Sequence, residues 1–203
     1  MSPIAIGTQT AGSIIRPASY CGIYGFKPSY GLIPRTGMLK TTDTLDQIGF
    51  FARNPYDLKL FLDVVRVRGK HYPFVEKSFN DVHNQSIESK KLKIRLVKTH
   101  VWDMATNEVQ KIVLQFVDKL DSLEKFDIEE FDLPEIFSHA HDIHELIYSK
   151  SLSYYFQKEL KDKSLVSDIF YSLTEKTKNV SISKFHDALD YQVKIRRILN
   201  NEF

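Results

Sequence analysis

The chain has 203 residues, which is enough for one compact domain with a sizeable core. Its 42% hydrophobic and 27% charged residues are typical of a globular protein, and no apolar run approaches the length of a membrane span or a secretory signal. The 28 basic and 26 acidic residues are intermixed and leave a formal charge of +2, so we expect neither a nucleic-acid partner nor a membrane partner.

Glycine and proline are concentrated at the start of the chain. Seven of the eight glycines lie at or before Gly49, and five of the seven prolines lie at or before Pro55. Because these residues favour tight turns and close backbone approach, we predict short strands joined by tight loops over residues 1–53. The remainder is predicted to be mainly helical scaffold.

The later elements follow from hydrophobic periodicity and capping signals. Asn54 and Pro55 predict the start of a helix, and the alternation in "LKIRLVKT" predicts a strand. Since a helix separates this strand from the next one, we expect the two strands to pair in parallel. The predicted order is helix 54–67, surface linker 68–91, strand 92–99, helix 106–123, strand 125–134, and helical stretches at 135–160, 163–177 and 182–200.

The segment "TQTAGSIIRP" has the features of a catalytic loop. A serine hydroxyl can attack a carbonyl when a base takes its proton, and the resulting oxyanion needs hydrogen-bond donors. The small residues Thr10, Ala11, Gly12 and Ser13 leave room for a substrate, and their consecutive backbone amides can converge on one oxygen. A short Gly-Ser turn by itself is most often only a turn.

The residues around this loop make it specific. "GTQTAGSIIRPASYCGIYGFKPSYGLIPRTG", followed by "DTLDQIGFFAR", closely resembles the signature region of the amidase signature family of serine amidohydrolases. The positions that agree with the family pattern, or lie one place from it, are Gly7, Thr8, Thr10, Gly12, Ser13, Arg16, Pro17, Ala18, Cys21, Gly22, Gly25, Lys27, Pro28, Gly31, Asp46, Ile48 and Gly49.

This resemblance implies an α/β fold, in which a mixed β-sheet is covered by helices, and a Ser–Ser–Lys mechanism. Ser13 would be the nucleophile, and the amides of residues 10–13 would form the oxyanion hole. An acyl-serine intermediate would be released by water as a carboxylic acid, after loss of ammonia or an amine. The implied substrate is a small-molecule amide, and no metal or organic cofactor is implied.

The chain departs from the family pattern near the loop. Gln9 replaces an acidic residue, Ala11 replaces a glycine, and Arg16 lies three places after the serine instead of two. We expect Gln9, Arg16 and Asp46 to brace the loop, with contact between Arg16 and a substrate carboxylate as the alternative. These departures favour a general amidase over the catalytic subunit of aminoacyl-tRNA amidotransferase, although "LDQIG" resembles that subunit too.

The family's lysine and relay serine precede the nucleophile loop, where this chain has only twelve residues. We therefore expect residues 1–203 to form one incomplete amidase domain, weak or inactive alone because Ser13 lacks its base. Neither Lys27 nor Lys40 occupies the place of that base. The alternatives are a catalytically silent remnant or interaction module, a split amidase completed by an N-terminal amidase segment, and a protein like the catalytic subunit of glutamyl-tRNA amidotransferase.

Three other features have simpler interpretations. "HAHDIHE" predicts a polar helix face, on which His141 shares a side with His144 and Glu145, and not a metal site. Cys21 cannot form an internal disulfide, and we expect it to be a small buried residue in a cytoplasmic protein. Asp46 is expected to bind backbone amides near the site, and not to act as a base, because its Asp-x-Ile-Gly segment is expected to end a strand.

Overall fold

The computed structural model describes residues 2–72 and 91–202, which divide into two compact units. The first contains the described parts of residues 1–82 and 144–189. The second contains the described parts of residues 83–143 and 190–203. No helix in the described residues is both long and apolar enough to cross a membrane.

The first unit is built on a three-stranded antiparallel sheet. Its strands are β1 (Ile4–Gln9), β2 (Tyr24–Phe26) and β3 (Gln47–Ala52), in the order β1-β3-β2. β1 pairs with β3 from Ile4↔Ala52 to Gln9↔Gln47, so β1 is an edge strand of this sheet. The short strands expected in the glycine-rich segment are therefore present.

A helix that the sequence analysis missed lies between β1 and β2. This helix, α1 (Ile15–Cys21), has seven residues, and Pro17 lies in its first turn, where the absence of a backbone N–H costs no helical hydrogen bond. Gly22 ends the helix with a left-handed φ of 61°. The prediction of only strands and loops was wrong because the proline and glycine here start and stop a helix.

The core of the first unit is centred on Phe50. Its ring is fully buried and lies 5.3 Å from the ring of Phe26 and 4.9 Å from that of Phe61, measured between centroids. Ile33 and Leu58 complete the buried cluster together with Ala52. Burial of these apolar side chains holds β3 against the following helix.

That helix, α2 (Pro55–Val65), begins as predicted. The Asn54 side chain accepts a hydrogen bond from the N–H of Tyr56 at 2.9 Å, and Pro55 is the first helical residue. The predicted linker 68–91 lies largely outside the described residues, which resume at residue 91.

The second unit contains the predicted strand–helix–strand motif. β4 (Leu92–Val97) and β5 (Phe126–Phe131) pair in parallel, and α3 (Asn107–Asp121) lies between them in sequence. The predicted parallel pairing is therefore confirmed. The Thr106 side chain caps α3 by accepting from the N–H of Val109.

Two of the three predicted C-terminal helical stretches, 135–160 and 163–177, are shorter or more interrupted than predicted, whereas the third begins at residue 182 as predicted. The stretch 135–160 contains a 3₁₀ helix (Glu135–His139) and α4 (Ala140–Tyr155), and two 3₁₀ turns follow at Glu159–Lys161 and Lys163–Leu165. The last two helices are α5 (Asp168–Glu175) and α6 (Ile182–Glu202). Ser167 caps α5, which explains its late start.

Candidate functional site

Ser13 lies in the turn that joins β1 to α1. Its side chain is exposed, and residues 10–13 form no part of a strand or helix. Among the described residues, the backbone N–H groups of Ala11, Gly12 and Ser13 donate no hydrogen bond. Ala11 has no positive φ, since Glu124 is the only non-glycine residue with one in the described ranges. The loop therefore presents a hydroxyl beside unpaired amide donors.

Gln9 holds the start of α1. Its side-chain Oε1 accepts hydrogen bonds from the N–H groups of Ile14, at 2.8 Å, and Ile15, at 3.1 Å. The first N–H groups of a helix have no partner inside it, so an acceptor from the neighbouring strand stabilises them. Gln9 is itself buried at the end of β1. Its side chain therefore links the last residue of β1, where the loop begins, to the start of α1, where the loop ends.

Ile14 anchors the loop from its other side. Its side chain is fully buried in a hollow formed by three glycines, one from each strand of the sheet. A Cβ added to Gly7 or Gly49 would lie 3.0 Å from a carbon of Ile14, and one added to Gly25 would lie 3.0 Å from its carbonyl oxygen. Because these glycines have no side chains, they leave a hollow for Ile14, and Ile14 anchors the loop next to Ser13.

Asp46 is the centre of a hydrogen-bond network behind the loop. Its carboxylate accepts from the Thr10 hydroxyl at 2.8 Å, from the Thr41 N–H at 2.7 Å and from the Thr42 N–H at 2.9 Å. The hydroxyls of Thr41 and Thr42 donate to it as well, at 2.6 and 3.0 Å. Asp46 immediately precedes β3, so the expectation that its Asp-x-Ile-Gly segment ends a strand was wrong: the segment begins one.

This network keeps Asp46 ionised. Burial alone raises the pKa of its carboxyl, but the hydrogen bonds from Thr41, Thr42 and Thr10 outweigh burial and leave the pKa below its ordinary value of 3.8. A carboxylate with this many donors is a poor proton acceptor at neutral pH. The geometry of Asp46 therefore fits a residue that holds the loop.

Helix α4 approaches the loop at Thr10. The Nε2 of His144 lies 3.3 Å from the Thr10 carbonyl oxygen, and the His144 ring stacks on Tyr148 with 6.1 Å between centroids. Burial, together with the nearby charge of Asp46, raises the pKa of the Tyr148 hydroxyl. The sequence pattern predicted only a polar helix face for His144 and gave no sign of this contact.

A second contact attaches α4 to the segment before β3. The Tyr155 hydroxyl donates to Asp43 Oδ1 at 2.6 Å, and this hydrogen bond, reinforced by burial, raises the pKa of Tyr155 to about 12. Lys40 lies 3.4 Å from the same carboxylate oxygen. α4 is therefore fixed to the nucleophile loop at one point and to the Asp43 segment at another.

The remaining predicted residues have these surroundings. Arg16 is exposed, and its side chain forms no hydrogen bond or ion pair within the described residues. The Lys27 ammonium donates to the Pro28 carbonyl at 3.0 Å. Cys21 is exposed, so the expectation that it is buried was wrong: it ends α1 with its side chain toward solvent.

The three histidines of "HAHDIHE" have separate neighbours. His139 faces the Tyr191 ring at 6.5 Å, and His141 faces the His100 ring at 6.3 Å. His144 contacts Thr10 and Tyr148, as described above. Within residues 2–72 and 91–202 no group of three or more His, Cys, Asp or Glu side chains is arranged to hold a metal ion.

Comparison with known proteins adds to this geometry. The family model described as Amidase matches residues 1–202. The chain belongs to the amidase family. It is 48% identical over 65 residues to a glutamyl-tRNA(Gln) amidotransferase subunit of Deinococcus radiodurans, an alignment covering 32% of this chain and 14% of that protein. It is 35% identical over 136 residues to the corresponding protein of Staphylococcus carnosus, covering 65% of this chain and 27% of the relative.

Solved structures agree with this family member in fold. A crystal structure of an amidase superposes with a TM-score of 0.79 at 20% identity, covering 97% of this chain and 42% of that chain. A bacterial aryl acylamidase of the amidase signature family gives a TM-score of 0.74 at 18% identity, covering 98% of this chain and 43% of that one. The amidase family member described here thus spans less than half the length of these structures, and its α/β fold is theirs.

Proposed function

We propose that this amidase family member hydrolyses a carboxylic amide through an acyl-serine intermediate on Ser13. The observation that carries the proposal is the loop itself, which joins an exposed serine hydroxyl to the N–H groups of Ala11, Gly12 and Ser13, and these have no acceptor among the described residues. Gln9 and Asp46 hold the two sides of that loop from buried positions. Such a fixed set of donors is what an oxyanion hole requires.

The reaction starts with attack of the Ser13 oxygen on the amide carbon. A bond forms between the two atoms, the hydroxyl proton passes to a base, and the carbonyl oxygen becomes an oxyanion held by the loop amides. The C–N bond then breaks as the base returns a proton to the departing nitrogen. Water attacks the acyl-serine, which yields the carboxylic acid and restores the hydroxyl.

The base and relay are proposed to be the lysine and second serine that the family resemblance implies, in an amidase segment that complements this one. Two observations support such a segment. β1 is an edge strand whose Ile6 side chain is 67% exposed, and the solved relatives are more than twice as long as the aligned region. An unpaired strand edge with an exposed apolar residue is suited to pair with a further strand.

The proposed substrate is a small-molecule amide. Arg16 is exposed, without a partner among the described residues, three places after Ser13, which would allow a bidentate contact with a substrate carboxylate. We place the reaction in the cytoplasm because the chain has a single exposed cysteine and no possible internal disulfide.

A second candidate is the ammonia-producing half of an aminoacyl-tRNA amidotransferase. It is favoured by the relatives from Deinococcus radiodurans and Staphylococcus carnosus, which are named as parts of such an enzyme. The chemistry at Ser13 would be the same, with glutamine or asparagine as the amide. Release of ammonia from free glutamine, compared with release from simple aliphatic or aryl amides, separates the two candidates.

The test compares amide hydrolysis by the purified chain, its Ser13→Ala variant and its Ser19→Ala variant. Ser19 is a matched control because it is also exposed and belongs to α1. We expect hydrolysis to be lost in Ser13→Ala and kept in Ser19→Ala. Hydrolysis that survives Ser13→Ala would rule out Ser13 as the nucleophile.

The same experiment also distinguishes a split enzyme from a catalytically silent remnant. The Staphylococcus carnosus relative has an N-terminal part that precedes the region aligned to this chain. If hydrolysis appears only after that part is added, the result supports a split enzyme. A folded chain that neither hydrolyses amides nor reacts with a fluorophosphonate, with or without that segment, is a catalytically silent remnant, and the proposal is then wrong.

A further inference from the structure

The contact between His144 and the nucleophile loop has no role in the function argued so far. The Nε2 atom of His144 lies 3.3 Å from the carbonyl oxygen of Thr10, although the two residues are 134 positions apart in sequence. A carbonyl oxygen only accepts hydrogen bonds, so this contact requires a proton on Nε2. The geometry thus assigns a specific tautomer to His144, with Nε2–H donating to Thr10.

This hydrogen bond acts on the peptide group between Thr10 and Ala11. The peptide is planar and trans, as are the others in the described residues, so the Thr10 C=O and the Ala11 N–H point in opposite directions. An atom that fixes the carbonyl on one side consequently fixes the direction of the N–H on the other. The Ala11 N–H is one of the loop amides that donate to no group in the described residues.

Both residues of this contact are also held by other interactions. The Thr10 hydroxyl donates to Asp46 at 2.8 Å, so residue 10 is held through its side chain as well as its carbonyl. The His144 ring stacks on Tyr148 at an interplanar angle of 27°. The Tyr155 hydroxyl, on the same helix, donates to Asp43. This second hydrogen bond attaches α4 to the segment before β3.

We propose that His144 is a positioning residue, which aims the Ala11 N–H into the oxyanion hole by donating from Nε2 to the Thr10 carbonyl. This rests on the proposed function, since an oxyanion hole needs a reaction that forms an oxyanion. His144 itself touches neither substrate nor the reacting atoms in this role. It acts through the peptide plane of residues 10 and 11.

Three variants separate hydrogen bonding from packing. His144→Phe keeps a planar ring for stacking on Tyr148 but has no donor, whereas His144→Gln keeps an N–H donor on a side chain of similar reach. His141→Phe is the matched control, because His141 lies three residues earlier on α4 and faces His100 instead of Thr10. Circular dichroism checks that each variant folds like the unmodified chain.

The first readout is the rate at which a fluorophosphonate labels Ser13, since this reagent also develops negative charge on an oxygen. We expect His144→Phe to slow labelling by about tenfold or more, because a small misplacement of catalytic groups has effects of this size. His144→Gln should recover most of the rate, and His141→Phe should label like the unmodified chain. When the unmodified chain is labelled at a measurable rate, an equal rate in all variants, or equal loss in His144→Phe and His144→Gln, would overturn the role of His144.

The second readout does not depend on activity. Long-range ¹H–¹⁵N spectra at about pH 9, where an ordinary imidazole is neutral, should show His144 with its proton on Nε2. The Ala11 amide signal should move in His144→Phe and return toward its original place in His144→Gln. A proton on Nδ1, or an unchanged Ala11 signal, overturns the proposal. If the unmodified chain is not labelled but these signals behave as expected, the positioning contact stands and the proposed hydrolysis fails.

Discussion

The side chain of Ile14 lies in the space that a side chain on Gly49 would occupy. A Cβ built on Gly49 would be 3.0 Å from Cγ1 of Ile14 and 2.5 Å from the carbonyl oxygen of Phe26. Ile14 is completely buried there and directly follows the proposed nucleophile. The glycine of β3 thus leaves the space that the isoleucine next to Ser13 fills.

Substitution of Gly49 by alanine tests this fit. The new methyl group meets both a strand carbonyl and Ile14, so we expect Gly49→Ala to lower the free energy of unfolding by about 1–3 kcal/mol, as overpacking usually does. Urea denaturation measures the change. Gly12→Ala is the matched control, because a Cβ at Gly12 meets only Arg16 Cβ at 3.8 Å and should change stability little. Equal stability of the two variants would show that the hollow is not tight.

Gln9 offers a test of the hydrogen bonds that hold the start of α1. Gln9→Met keeps the length of the side chain but removes the acceptor, which leaves the buried N–H of Ile14 and the partly buried N–H of Ile15 without this partner. We expect a loss of about 1–3 kcal/mol in the free energy of unfolding. Gln9→Glu keeps an acceptor oxygen at the same place and should retain most of the stability. If Gln9→Met is as stable as Gln9→Glu, these hydrogen bonds do not hold the loop.

Asp46 predicts how stability depends on pH. Because hydrogen bonds keep its pKa below the ordinary value of 3.8, Asp46 contributes stability above that value, and the contribution is lost as pH falls through the lower folded-state pKa. We therefore expect acidification below about pH 4 to destabilise the unmodified chain more than Asp46→Asn.

At neutral pH the same variant should be the less stable one. An asparagine has one acceptor oxygen instead of two, so it cannot accept both from the N–H groups of Thr41 and Thr42 and from the hydroxyls that bind the other carboxylate oxygen. We therefore expect Asp46→Asn to lose about 2 kcal/mol in the free energy of unfolding. Asp103→Asn, at an exposed carboxylate, is the control. Parallel pH profiles for the unmodified chain and Asp46→Asn would contradict the low pKa of Asp46.

Elements with a local signal in sequence could be predicted well. Asn54 caps α2 as predicted, and the alternation around Ile94 marks β4. The parallel pairing of β4 with β5 followed from the helix between them. The membership of the amidase family was likewise readable from the residues around Ser13.

Features that depend on distant neighbours could not be predicted. The hollow around Ile14 requires glycines from three strands to meet, and sequence spacing alone does not show which side chain fills it. α1 was not predicted because proline and glycine, which lie in its first turn and at its end, are equally common in loops. His144 looked like one member of a polar face, since nothing within its own helix indicates a contact 134 residues away.

The most direct test of the account is to identify the residue that a fluorophosphonate modifies. The purified chain is treated with the reagent, digested and examined by mass spectrometry, alone and with the complementing segment described above. The account predicts a phosphonyl adduct on the peptide that contains Ser13, absent in Ser13→Ala and present in Ser19→Ala. An adduct on another residue, or no adduct on a folded chain under either condition, would contradict the assignment of Ser13 as the nucleophile.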